Sequence, residues 1–196
     1  PQNVGQCAIF IGDDSSLSVA WREGVCSLTP LESMAAASVL ASCPELVCHD
    51  LKNTLHQLDL LGLPHGNFIF DTALAAYDLN PSQSDYSIEK LSTNFLGSEL
   101  PPMDGAARAE CVLALYPVLE AELKDKGMDN LYSTVELPLC PVLYDMEKEG
   151  VAIDRQMLLR FGDMLTQRID ACEKLIYSYS GEPFNIQSPK QLGAVL

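Results

Sequence analysis

Three short β-type runs separated by two tight turns open the chain, and two further buried runs follow, each leading into a helical pattern. The first three are Cys7 to Ile11, Leu17 to Trp21 and Val25 to Leu28, with Gly12-Asp13-Asp14 and Arg22-Glu23-Gly24 between them. Connections this short allow only antiparallel pairing, so the segment reads as a meander. Leu46 to Cys48 and Phe68 to Phe70 read as the buried strands. The helical spacing of Leu51, Leu55 and Leu58 follows one, and that of Leu74, Ala75 and Leu79 follows the other. Strands that alternate with helices can pair in parallel, which makes the fold class α/β. Between meander and first buried strand, Thr29-Pro30-Leu31-Glu32 has the form of a capping box with proline at the first helical position, and a helix runs on to Ser42.

The remainder is helical. Asn80 to Met103, rich in Pro, Ser, Asn and Asp, reads as a surface excursion with one helical stretch around Tyr86 to Phe95. A helix then runs from Asp104 to about Lys126. Beyond Gly127, the residues Leu131, Val135, Leu139, Val142, Leu143 and Met146 fall on one face, with a kink implied by Pro138 and Pro141 and an end at Gly150. Asp154 is placed to cap the longest element, whose stripe is Leu158, Phe161, Leu165, Ile169, Cys172, Ile176 and Tyr179. That stripe needs a partner helix, expected in sequence after Leu196. A start without Met and a stop inside a newly opened helix read as a piece of a longer protein.

Charge narrows the function. The 196 residues hold 12 basic and 27 acidic side chains, a net charge of -15. Residues 1–130 carry 6 basic against 18 acidic, and 131–196 carry 6 against 9. So acidic a first segment repels polyanions, because affinity for a phosphate backbone comes mainly from Lys and Arg. Seven cysteines without C-x-x-C spacing fit neither a disulfide framework nor a zinc ribbon, and point to a reducing cytoplasm. Cys43, Cys48 and His49 lack a fourth ligand for a soft metal. No apolar run approaches the roughly 20 residues of a membrane span, and Pro1-Gln2-Asn3-Val4-Gly5 has no signal-peptide character.

Three segments carry a family resemblance. Leu131-Tyr132-Ser133-Thr134-Val135-Glu136-Leu137-Pro138-Leu139, with Asp145-Met146-Glu147 and Glu149-Gly150-Val151-Ala152-Ile153-Asp154 after it, resembles the opening of the polymerase domain in the bacterial DNA polymerase I family (family A). Gly181-Glu182-Pro183-Phe184-Asn185-Ile186-Gln187-Ser188-Pro189-Lys190-Gln191-Leu192 resembles that family's thumb motif. Phe70-Asp71-Thr72-Ala73-Leu74-Ala75-Ala76-Tyr77 is similar to its 3'-5' exonuclease-like domain. The resemblance implies a ribonuclease H-like exonuclease-like domain over 1–130, followed over 131–196 by the all-helical start of a polymerase thumb. It also implies a parent that copies DNA with Mg2+, with a DNA primer-template and the remainder of the polymerase chain as partners and a cytoplasmic, nucleoid-associated location. No cofactor is expected in the 196 residues themselves.

The same resemblance indicates a degenerate exonuclease site. Two-metal hydrolysis needs carboxylates that converge from several elements. The family's N-x-x-x-D falls on Asp50 to Thr54, where a hydroxyl replaces the metal-binding carboxylate. Its Y-x-x-x-D falls on Gly105 to Ala109, where nothing can hold a metal; a slip of one residue would substitute Glu110. The strand bearing its D-x-E is expected before residue 1. Asp145-Met146-Glu147 has that spacing, but on a helix, where residues two apart face different ways, so it reads as solvated surface. Tyr116 and Tyr132, each four residues before a Glu, read as packing residues, Asp71 as a helix cap, and His56 and His65 as lacking a nucleophile beside them.

Ser188-Pro189-Lys190-Gln191 has the form of a capping box, which leaves free N–H groups beside a lysine. Through the thumb resemblance, Gln187, Ser188, Lys190 and Gln191 are expected to touch DNA phosphate or sugar. Two other readings stay open: a working metal-dependent 3'-5' exonuclease, and a non-enzymatic acidic protein-interaction module.

Overall fold

The computed structural model describes residues 5–101 and 104–196. Pro1 to Val4 of the N-terminal reading, and Met103 at the end of the surface excursion, lie outside the described residues. The chain divides into two compact units, residues 1–149 and 150–196.

Unit 1 is built on one five-stranded sheet. Strands β1 (Gln6–Ile11), β2 (Leu17–Trp21) and β3 (Gly24–Leu28) form the expected antiparallel meander, with Cys7 opposite Trp21 and Leu17 opposite Leu28. A 3-10 turn (Pro30–Glu32) and helix α1 (Ser33–Ser42) lead to β4 (Glu45–Cys48), which pairs in parallel with β1. Helix α2 (Leu51–Leu60) leads to β5 (Phe68–Asp71), parallel to β4, and α3 (Thr72–Leu79) follows. The strand order is therefore β3-β2-β1-β4-β5. β1 lies at the centre with a neighbour on each side, and β3 and β5 are the edges.

Alternation along the strands feeds two cores. Cys7, Ile9, Ile11, Leu17, Val19, Leu46 and Cys48 pack with Leu40 of α1 and Leu51, Leu55 and Leu58 of α2. On the other face Ala8, Val47 and Phe70 meet α3, the short helix α4 (Ile88–Leu91) and α5 (Gly105–Asp125). From α5, Val112, Leu115, Leu119 and Leu123 point into that core at helical spacing. Each such side chain, fully removed from water, contributes roughly 1.5–3 kcal/mol.

The excursion after Asn80 is more ordered than its composition suggests. Ile88, Leu91 and Ser92 are buried, and a π-helical turn (Ser92–Leu96) ends on Gly97 in the left-handed region. Two apolar anchors one helical turn apart, Ile88 and Leu91, ahead of a glycine stop are the signal for a docked segment.

After α5 come α6 (Asp129–Leu131), a second π-helical turn (Tyr132–Glu136) and α7 (Leu137–Glu149). The predicted stripe is a correction: Leu131, Val135, Leu139, Val142, Leu143 and Met146 are exposed, and Tyr132, Cys140 and Tyr144 are buried instead. Leu131 before the π turn and Leu139, Val142, Leu143 and Met146 after it are all exposed, so packing against α2, and not the spacing of the apolar residues, decides which face of α7 is buried. α7 packs on α2 within unit 1, although residues 131–149 carry the polymerase-like part of the sequence. Gly150, in the left-handed region, follows its end.

Unit 2 contains α8 (Arg155–Ser180) and α9 (Pro189–Val195). Asp154 caps α8 as expected, its carboxylate accepting from Met157 N at 2.9 Å, and Gly181 stops it in the left-handed region. Leu158, Phe161, Leu165 and Ile169 are exposed, and unit 2 supplies no second long helix to cover them. Among the described residues no helix is long and apolar enough to cross a membrane.

Candidate functional site

The parallel strands β1, β4 and β5 end at one edge of the sheet, the position where α/β sheets form ligand crevices. Two clefts open there. The larger, about 380 Å³, is lined by residues that include Phe10, Ile11, Asp13, His49, Asp50 and Thr54. The smaller, about 170 Å³, shares Phe10 and Asp13 and adds Gly12, Asp14, Gly105 and Arg108.

Asp71, at the end of β5, organises this edge. Its buried carboxylate accepts from four backbone N–H groups: Asp50 at 2.9 Å, Leu51 at 2.8 Å, Ala73 at 2.9 Å and Leu74 at 3.3 Å. One side chain thus caps α3 and also holds the first turn of α2, which extends the capping role read from the sequence. Burial pushes the Asp71 carboxyl up, against the pull of the N–H donors and of His49. Burial likewise lowers His49, which favours its neutral form, with Nδ1 2.9 Å from Thr72 Oγ1.

The degenerate positions fall around the clefts with their polar groups spent elsewhere. Asp50 adopts a left-handed backbone, φ 60°, and its carboxylate accepts from Asn53 N at 3.2 Å as the cap of α2. Thr54 lines the larger cleft, but its hydroxyl donates to Asp50 O at 2.9 Å. Gly105 lines the smaller cleft; a Cβ there would sit 2.8 Å from Ser18 Oγ. Ala109 is fully buried and lines neither cleft, whereas Glu110 is exposed, so the inward position on this turn of α5 is Ala109. The sequence brings Asp50 and Thr54 to one cleft and Gly105 to its neighbour.

Sequence reasoning missed the part that β1 plays in the clefts: the strand ends at both, with Ile11 lining the larger and Asp13 lining the two. Among the described residues, no three His, Cys, Asp or Glu side chains are grouped to hold a metal ion. Divalent ions bound by a protein need several oxygen ligands at one point, and the residues present do not fit that demand.

Asp145-Met146-Glu147 does not converge either, but Glu147 is more than solvated surface. It pairs with Lys52 at 2.7 Å and His56 at 2.9 Å, tying α7 to α2. His65 is held by Asp59 at 3.0 Å, and Asp59 also accepts from Tyr144 and Lys148. Cys43, Cys48 and His49 are drawn apart by their partners: Cys43 faces Cys7, Cys48 lies behind β5 against Phe70 O, and His49 bonds Thr72.

In unit 2, the turn before α9 is self-braced. Asn185 accepts from Gln187 N at 3.0 Å through its side chain and from Ser188 N at 3.0 Å through its carbonyl. Ser188 Oγ accepts from Gln191 N at 3.4 Å. The reciprocal half of the capping box is redirected: Gln191 Oε1 accepts from Asn185 N at 2.8 Å, because Ser188 N is already engaged. The Tyr177 hydroxyl donates to Phe184 O at 3.2 Å, fixing the turn to α8. Gln187, Lys190 and Gln191 are exposed and Ser188 half-buried. Unit 1 holds 7 basic and 22 acidic side chains, the whole net charge of the chain, while unit 2 holds 5 of each. Of the two units, only the second has no field that repels phosphate.

No family model matches the chain. It is similar to DNA polymerase I of Caldicellulosiruptor bescii, 33% identical across 81% of this chain and 19% of that protein. The DNA polymerase I of Mycobacterium leprae is 32% identical across 94% of this chain and 24% of that protein. For Bacillus subtilis the figures are 33%, 75% and 19%. The chain therefore spans 19–24% of the length of these curated relatives. A solved structure titled as the POL domain of Pol1 from M. smegmatis in complex with DNA primer-template and dNTP matches with a TM-score of 0.80 and 31% identity, over 97% of this chain and 36% of that one.

Proposed function

The chain belongs to the DNA polymerase I family, and on that premise we propose that the whole protein is a DNA-directed DNA polymerase acting in replication and repair. The observation that carries the reading is identity of 32% sustained over 94% of the chain with one such polymerase. Residues 1–130 act as a ribonuclease H-like 3'-5' exonuclease-like domain without its chemistry, and 131–196 open the polymerase domain on its thumb side. The sheet order β3-β2-β1-β4-β5, with β1 central, supports the ribonuclease H-like assignment. On this reading β1 takes the place of the first-motif strand.

Loss of proofreading is supported by the clefts themselves. Thr54 offers a hydroxyl already bound to the backbone, Gly105 has no side chain, and Ala109 is sealed in the core. Two-metal hydrolysis has no ligand set here, so the domain serves as scaffold. Mg2+ for synthesis would be held by residues outside this chain, and no residue of the chain is assigned to it. Through Gln187, Ser188, Lys190 and Gln191, unit 2 contacts the sugar–phosphate backbone of the primer-template, the kind of contact that positions DNA without reading its sequence. A cytoplasmic, nucleoid-associated location follows from that activity.

The test is a gel assay of the chain on 5'-labelled single-stranded DNA with Mg2+, with Mn2+ and without metal, using protein whose fold is checked by circular dichroism. No shortening in any lane is expected. Stepwise 3' shortening that requires metal would overturn the scaffold reading in favour of a working exonuclease. Salt-sensitive capture of a basic protein, with no binding to primer-template, would favour an acidic interaction module.

A further inference from the structure

Cys7, Cys26 and Cys43 lie near one another in the core on the α1 side of the sheet. Cys7 lies near the start of β1, and Cys43 directly follows α1, its N–H donating to Leu40 O. Both are buried free thiols, with their sulfurs 2.7 Å apart. Cys26 on β3 is half-buried and close enough to Cys43 for their charges to interact. Cys172 is exposed in unit 2, Cys48 and Cys140 are buried in the same core with other partners, and Cys111 is buried on the other face of the sheet.

We propose that Cys7 and Cys43 form an oxidative cross-linking site, at which a peroxide converts the paired thiols into a disulfide between β1 and the end of α1. An S–S bond is about 2.05 Å long, so closing it asks for a shift of under about 1 Å between two side chains already packed together. The chemistry balances with one peroxide. The sulfur of Cys43, the less buried of the two, attacks a peroxide oxygen; the O–O bond breaks, a sulfenic acid forms and one water leaves. Cys7 then attacks the sulfenic sulfur, its thiol proton leaves with the departing hydroxide as a second water, and the S–S bond forms. Two thiol sulfurs are oxidised by one electron each, and the two peroxide oxygens are reduced.

Burial sets the pace. It pushes the Cys7 thiol up to about 12, and the neighbouring cysteines add to the shift. Since the thiolate is the nucleophile, the attack of Cys7 on the sulfenic sulfur is slow at neutral pH and quickens as pH rises. Reducing conditions leave the pair open. The tie closes a loop that spans the meander and α1, and it lies at the opposite end of β1 from the two clefts.

The test uses the full chain carrying Cys172→Ser, which removes the exposed thiol and with it intermolecular coupling. After hydrogen peroxide treatment, free thiols are alkylated under denaturing conditions and the chain is cut after glutamate. Cleavage after Glu23, Glu32 and Glu45 places Cys7, Cys26 and Cys43 on three separate peptides. A linked pair of the Cys7 and Cys43 peptides, two of six alkylatable thiols lost, and release by reductant are expected. Three results would each overturn the proposal: a link through Cys26, over-oxidation without any link, or the same pairing in guanidine-unfolded chain at the same rate.

Discussion

The Tyr132 hydroxyl accepts from Asp71 N at 2.6 Å and donates to Asp71 O at 3.2 Å, so one phenol closes both backbone groups of the residue whose carboxylate caps two helices. Sixty-one residues separate the partners in sequence, and the contact joins the polymerase-like segment to the end of the sheet.

Replacing Tyr132 by Phe keeps the ring packed on Phe70 and removes only the hydroxyl. A buried N–H is then left without its acceptor, a loss of roughly 1–3 kcal/mol. Urea unfolding followed by circular dichroism should give a lower midpoint with an unchanged slope. An unchanged midpoint would mean that Asp71 N finds another partner and that the bridge is incidental.

Asp78 predicts a pH dependence of opposite sense to ordinary acid denaturation. Its side chain is 8% exposed, and Oδ2 has no hydrogen-bond partner. Burial, with the charge of Glu136 added, raises its carboxyl to about 6. An unfolded Asp titrates near 3.9, so the folded state holds this proton more tightly. The associated stability is complete below about pH 4, is lost as pH rises towards 6, and stays lost above it. Asp78→Asn should raise the melting temperature at pH 7.5, by the equivalent of roughly 1–3 kcal/mol, and leave it unchanged at pH 4. Equal gains at both pH values would show that ionisation is not the cause.

The strands and caps were legible because their determinants are local. Gly12-Asp13-Asp14 makes a turn whatever surrounds it, and Asp154 caps α8 with its own side chain. The face of α7 was not legible, since burial there is decided by packing against α2. Asp50 and Thr54 were found through the family resemblance, whereas Ile11 and Asp13 carry no motif of their own and only the fold brings them to the clefts. The double capping by Asp71 needed the fold, because Asp50 and Leu51 lie one helix and one strand away along the chain.

An acid placed at Ala109, where the family resemblance sets the third motif, should damage the fold and confer no nuclease activity. Ala109 is fully buried on the inner side of α5, and an aspartate there enters a packed core with no cation beside it. Cores respond to such insertions with a loss of about 3 kcal/mol or more. Ala109→Asp is expected to lower the urea midpoint sharply and to show no metal-dependent degradation of single-stranded DNA. A stable variant that binds Mn2+ by calorimetry would mean the site is closer to function than its packing implies.

Lys190 tests whether unit 2 meets DNA. It stands exposed at the start of α9, beside Ser188, in the unit without net negative charge. A lysine that neutralises one phosphate releases about one counterion, so Lys190→Ala should reduce the slope of log affinity against log salt by about 0.9. Loss of a charge-assisted hydrogen bond should also weaken primer-template binding about tenfold near 0.1 M salt, equally for unrelated sequences. Lys126→Ala is the control, because that lysine lies in the acidic unit and is paired with Glu122. Fluorescence anisotropy across a salt series measures both quantities in one experiment. A Lys190 variant whose slope matches the parent's would remove this turn from the DNA interface, while a matching loss in the Lys126 variant would reveal a general charge effect instead of a contact.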